Sequence, residues 1–164
     1  MATRGAIVRI TDLDKGHFSG RYHHWDSYPG GLGAELFALF HGYFEKNLDR
    51  MLAFLIDQHP AGWSTIQDAD FNVPAGTQGG PTCYCHSRNG ETPHEVTHEN
   101  ASGSGCEYVY GFTPDCKMHI LSSYRENGAK MIGMFGVGDP NAVWKPIAVV
   151  DLHDEEPDWK NLRE

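Results

Sequence analysis

The chain has 164 residues, the size of one domain that can bury enough of itself to fold without disulfide staples. No run approaches the roughly 20 apolar residues of a membrane span, and Arg4 and Arg9 interrupt the start where a signal peptide would be apolar. The expectation is therefore a cytoplasmic protein whose four cysteines are reduced or metal-bound. The formal charge of −9 is weighted to the end, where residues 151–164 carry six acids and two bases and so hold −4; no basic patch speaks for direct binding of nucleic acid.

Ala6–Thr11 (AIVRIT) alternates apolar and polar residues, the period of a strand, and His17–His24 (HFSGRYHH) returns after the turn cluster Asp12-Leu-Asp-Lys-Gly16. A hairpin is expected. Asp26–Gly33 (DSYPGGLG) is then a Gly/Pro-rich loop. From Ala34 to about Gln58, Leu36, Leu39, Phe40, Tyr43, Phe44, Leu48, Met51, Leu52 and Leu55 recur at three- and four-residue spacing, which predicts one long amphipathic helix ended by Pro60 and Gly62. The segment 72–105 is rich in glycine and proline and poor in aliphatic side chains. It is too long for an idle loop, so it is functional, externally braced or disordered. Cys106–Phe112, Lys117–Ser122, Lys130–Val137 (after the turn pair Asn127-Gly128) and Ala142–Leu152 predict a meander, with Pro146 at an edge or a bulge. Residues 153–164 read as an acidic tail. The expected fold is α+β: one domain over 1–152, in which an antiparallel sheet (N-terminal hairpin plus C-terminal meander) packs on the long helix.

Two constellations could carry chemistry. Arg21, His23, His24, Trp25, Asp26, Tyr28, Gly31 and Gly33 crowd a strand–loop–helix junction. Free amides at a helix start favour anions, glycines let backbone approach a ligand, and the rings could stack on a base. The same residues could instead form a hairpin end in which Asp26 caps a turn. Gly-Gly-Leu-Gly matches neither the P-loop nor the dinucleotide fingerprint. The second constellation is Cys83, Cys85 and His86 with Cys106; thiolates and imidazoles are the preferred zinc ligands, and one zinc there would brace the glycine-rich segment. Asp68 and Asp70, with His23, His24 or Asp26, could hold a divalent cation.

Met1-x-Thr3-Arg4, then His24-Trp25-Asp26-x-Tyr28-Pro29-x-Gly31-x-Gly33 running into a helix, resembles a group of small uncharacterised proteins encoded by bacteriophages and by bacteria carrying phage-derived genes. Cys83-Tyr84-Cys85-His86 and Cys106-Glu107-Tyr108-Val109-Tyr110 are similar to members of that group as well. The likeness is best over about residues 1–57 and patchy beyond. Glycine usually stands between the Asp and the Tyr of the motif, and Ser27 stands there in this chain. The resemblance implies a mobile-element setting and no particular activity. Three functions follow as expectations. The first is a phage or prophage accessory protein that binds a small anionic ligand such as a nucleotide and modulates host defence. The second is a metal-dependent hydrolase built on His23, His24, Asp26, Asp68 and Asp70. The third is a zinc-braced module that meets a host protein.

Overall fold

The structure, a computed structural model, describes residues 3–86, 94–124 and 143–162. Its frame is an eight-stranded sheet: β1 (Gly5–Asp12), β2 (His17–His23), β3 (Trp63–Thr65), β4 (Thr82–Cys83), β5 (Val96–Thr97), β6 (Tyr108–Thr113), β7 (Lys117–Tyr124) and β8 (Val143–Asp151). The order across the sheet is β4-β3-β2-β1-β6-β7-β8, and β5 adds to β2. The opening hairpin forms, with Ala6 opposite Tyr22 and Ile10 opposite Phe18. The sheet is nevertheless mixed, not antiparallel as expected: β1 runs parallel to β6, and β2 runs parallel to β3. The reason is topological. A period of two marks a strand but carries no direction, and the helical crossover between β2 and β3 returns the chain pointing the same way. Pro146 sits at a register shift in β8, the last strand of the order, where its missing N–H costs least. The strand expected at 130–137 and the turn at Asn127-Gly128 lie outside the described residues.

The single long helix is also corrected. Two short α-helices stand in its place, α1 (Ala34–His41) and α2 (Leu48–Leu52), with π-helical turns at Pro29–Gly33 and Ala53–Asp57. Between α1 and α2, Glu45 and Lys46 are left-handed, at φ 50° and 63°. The Phe44 N–H closes onto Leu39 O at 3.0 Å, the six-residue closure of a helix end, and the Lys46 N–H reaches back to Phe40 O at 2.6 Å. Asn47 then caps α2, its Oδ1 accepting from the Arg50 N–H at 3.1 Å. The apolar stripe survives the break: Leu36, Phe40, Met51 and Leu55 are fully buried and Phe44 nearly so. Burial, not helical continuity, is what the periodicity encoded.

Alternate residues of β1 belong to different cores, as strand geometry demands. Ile7 joins the helices, Trp63, Tyr110, Phe112, Met118 and Ile120 on one face. Ala6 and Val8 join Phe18, Val96, Ala101, Cys106, Val109, Leu121 and Trp144 on the other. The 72–105 segment therefore contributes β4, β5 and part of the second core. The acidic end is exposed at residues 153–156, but Trp159 returns against Phe37 and Gly33. No helix among the described residues is long and apolar enough to cross a membrane.

The left-handed pair gives a direct test. Lys46 is exposed and a non-glycine residue in that conformation costs about 1 kcal/mol. Lys46→Gly should raise the urea midpoint by an equivalent of roughly 1 kcal/mol with an unchanged slope. A lower midpoint would show that the break is not strained.

Candidate metal centre

The π-helical turn after α2 ends at Asp57, and His59-Pro60-Ala61-Gly62 swings the chain into β3. Gly62 has φ 88°, and a Cβ there would meet Tyr22 O at 2.8 Å, so the turn needs glycine. His59 is buried at its start, its ring 4.8 Å from Phe54 and 4.4 Å from Trp63. Trp63 is buried and donates its indole N–H to Leu55 O at 2.8 Å, which fixes β3 on the helical layer. Opposite Trp63 in the ladder stands Cys83, and the Tyr84 N–H donates to Gly62 O at 3.0 Å. That pairing lays Cys83-Tyr84-Cys85-His86 along the turn that carries His59.

His59, Cys83, Cys85 and His86 each offer one ligand atom, and the four atoms lie within 4.8 Å of one another, compatible with a metal ion. Cys83 Sγ is 3.0 Å from His86 Nδ1, Cys85 Sγ is 3.3 Å from the same nitrogen, and Cys85 Sγ is 3.5 Å from His59 Nδ1. A tetrahedral zinc with bonds of about 2.3 Å to sulfur and 2.0–2.1 Å to nitrogen requires neighbouring ligand atoms roughly 3.3–3.8 Å apart. Three of the separations already lie near that range. Burial pushes the Cys83 thiol up to about 11, and burial together with the neighbouring His86 pushes His59 down to about 4. The imidazole is thus neutral and ready to ligate, whereas Cys83 keeps its proton until a cation displaces it. The glycine-rich segment has a part here. Gly76 adopts φ 85°, and a Cβ on it would lie 2.6 Å from the His86 Cβ.

The cluster contains three of the four expected metal ligands. Cys106 is not among them. It is fully buried in the opposite core beside Ala6 and Val8, its thiol pushed up to about 12 by burial, and it behaves as a small hydrophobe. His59 takes its place. It lies 24 residues before Cys83, and only the Trp63–Cys83 pairing connects the two, so motif spacing could not find it. All four cysteines are free thiols. Of the nearby histidines, His98 accepts from the Phe18 N–H and stacks on His17, and His119 pairs with Thr113.

The His23–Gly33 junction spends many of its polar atoms on the fold. Arg21 donates to Ile56 O at 2.8 Å and to His94 O at 3.3 Å. His23 is completely buried, and its Nε2 accepts from the Ile66 N–H at 3.2 Å, so its proton sits on Nδ1 and is donated to Ser27 Oγ at 2.9 Å. Asp26 is left-handed at φ 52°; its carbonyl accepts from Leu32 and from the Gln67 side chain. The motif's unusual backbone thus falls on Asp26, which tolerates it, while Ser27 has no positive φ and supplies a hydroxyl instead. A Cβ on Gly31 would sit 2.3 Å from Asp26 O, and one on Gly33 would press on Trp159 and Tyr110. The Gly31 and Leu32 amides donate to Tyr28 O and Asp26 O, so neither is left for an anion. His24 is half-buried, and Trp25 and Tyr28 stay 47% and 45% exposed. Asp68 and Asp70 form no ligand group with His23, His24 or Asp26 among the described residues; Asp70 instead accepts from the Asn72 N–H.

Comparison with protein-family models, curated proteins and solved structures finds no match for this chain.

Burial holds the His23 pKa down at about 3, below its ordinary 6.5. The unfolded chain therefore takes up a proton near pH 6.5 that the folded chain refuses until about pH 3, and stability falls as pH falls through that window. His23→Ala should cost roughly 3 kcal/mol at pH 7, from the cavity and the orphaned Ile66 amide, and less at pH 4.5. Denaturant titration at the two pH values checks this; an equal cost at both would refute the buried neutral imidazole.

Proposed function

We propose that this chain is a zinc-braced binding protein and not an enzyme, with the ion held by His59, Cys83, Cys85 and His86. The supporting observation is the convergence of two sulfurs and two ring nitrogens within 4.8 Å. Two thiolates with two imidazoles in a small tetrahedral volume select zinc over the hard, oxygen-seeking cations. Four protein ligands leave no open position for water or substrate, which is the pattern of a structural site. The zinc would close the loop between His59 and His86 and clamp the two-residue strand β4 to the sheet edge. No arrangement favours the hydrolase, because its five expected residues do not converge. The resemblance to phage and prophage proteins is consistent with an accessory role in a mobile element, exerted by binding a host protein or a small anionic molecule.

Native mass spectrometry with elemental analysis tests this. One zinc per chain is expected, and Cys83→Ser and Cys85→Ser should each lose it and lower the melting temperature by many degrees, since structural zinc contributes on the order of 10 kcal/mol to small sites. Cys106→Ser should keep the zinc. Metal-free protein with four titratable thiols, purified from zinc-supplemented cells, would overturn the proposal.

The glycine has its own readout. Gly76→Ala should displace His86 and weaken zinc retention against a chelator about tenfold or more. Gly79→Ala also replaces a left-handed glycine but meets nothing within 4 Å, so it should cost stability without that loss. Equal retention in both variants would separate Gly76 from the metal centre.

A further inference from the structure

Four arginines lie among the described residues, and three are committed. Arg9 makes a bidentate pair with Asp57, both contacts at 2.8 Å. Arg21 is bound to two carbonyls. Arg50 donates to Tyr43 O and lies over the Tyr43 and Phe44 rings. The Arg4 guanidinium makes no ion pair or hydrogen bond with another described residue, although the chain carries −9. Its backbone is fixed, because the Glu107 N–H donates to Arg4 O at 2.8 Å. Its side chain crosses Gly105, where a Cβ would sit 2.8 Å from Nη1, and Gly105 has φ 82°. The exposed cation therefore lies across Gly105, where the missing side chain lets it rest against the backbone.

The hairpin register brings partners to it. Gly5 pairs with His23 and Ala6 with Tyr22, so Arg4 continues β1 beside His24. Tyr22 OH lies 2.7 Å from His24 Nδ1. Burial pushes the Tyr22 phenol up, so it stays protonated and its bond holds the His24 ring in place through Nδ1. With Nδ1 occupied, His24 Nε2 has no partner among the described residues. The charge that acts on His24 comes from Arg4, with no carboxylate opposing it. Next in the chain, the Trp25 ring meets His24 edge-on at 4.7 Å and is 47% exposed. Among the described residues, an unpaired guanidinium, an imidazole edge with Nε2 unpartnered and an exposed indole stand together at one end of the hairpin. The first two match the oxygens of a phosphate, and the third matches a base.

We propose that Arg4 and His24, oriented by Gly105 and Tyr22, bind the phosphate group of a mononucleotide whose base stacks on Trp25. The site goes beyond the zinc reading and does not depend on it, since none of these residues is a zinc ligand. It also moves the anion away from Arg21, His23 and the amides of the glycine loop, which the fold has used.

Titration calorimetry on the full chain, at measured zinc content, with adenosine monophosphate, adenosine and inorganic phosphate as probes, decides the matter. Adenosine monophosphate should bind saturably at or below about 1 mM, and the other two at least tenfold more weakly. Arg4→Ala should weaken the mononucleotide and inorganic phosphate about tenfold or more; Trp25→Ala should weaken the mononucleotide but not inorganic phosphate. Lys15→Ala, in the turn at the other end of the hairpin, should change neither. The altered side chains are surface groups, and melting curves verify that the variants remain folded. Unchanged binding in Arg4→Ala overturns the assignment, as does no saturation by any probe. A deca-adenylate bound more tightly than the mononucleotide would replace it with a single-strand site.

Discussion

The neutral imidazole of His23 ties together the parts on which the rest of the molecule depends. Its backbone pairs with Gly5 on one side and Trp63 on the other, which makes β2 the hinge between the hairpin and the sheet edge. Its ring reaches Ser27 at the start of the helical layer and the Ile66 amide just beyond β3. A cation at this position would lose the acceptor for Ile66, and an alkyl side chain would lose both bonds. The placement of β3 follows from this hub, the Trp63–Cys83 pairing follows from β3, and the thiols reach His59 through that pairing. A residue that reads as a candidate ligand is thus spent on positioning the ligands of another site.

The features legible in the sequence were those encoded locally. The hairpin, the apolar stripe from Leu36 to Leu55, the strands β6, β7 and β8 and the Cys83-Tyr-Cys-His86 cluster could all be read from spacing and residue type. The features that could not be read needed information from distant residues. Strand direction depends on which way a crossover returns. The break after α1 rests on Glu45 and Lys46 adopting a conformation neither prefers, and its only local sign is Asn47 as a cap. His59 joins the cluster through the pairing of Trp63 with Cys83, 20 residues apart in the chain, and Cys106 is excluded because it lies in the core on the other face of the sheet.

The glycine content also divides by physical cause. Gly62 and Gly76 combine a left-handed backbone with a close neighbour, Tyr22 O in one case and His86 in the other. Gly31 and Gly33 need space, not an unusual φ, since carbonyl or ring atoms occupy the place of a side chain. The loop that resembles a phosphate cradle in composition is a corner packed from within. Composition alone does not distinguish backbone that approaches a ligand from backbone that approaches itself.

A metal held as proposed would be an economical brace for the edge of this sheet. Between Ile66 and His86 the buried apolar side chains are Ile66, Phe71, Pro81 and Cys83, while some twenty residues must be ordered. Hydrophobic burial on that scale does not hold such a segment, and β4 contributes a ladder of only two residues. Ion coordination concentrates the stabilisation at one point and requires few side chains, two of which can stay near the surface, as Cys85 and His86 do. A coordination shell closed by protein on all four positions, as proposed, would leave the metal no substrate to activate. On that proposal, activity would come from surfaces that the braced sheet presents, and the hairpin end at Arg4, His24 and Trp25 is one where polar groups stand without partners among the described residues.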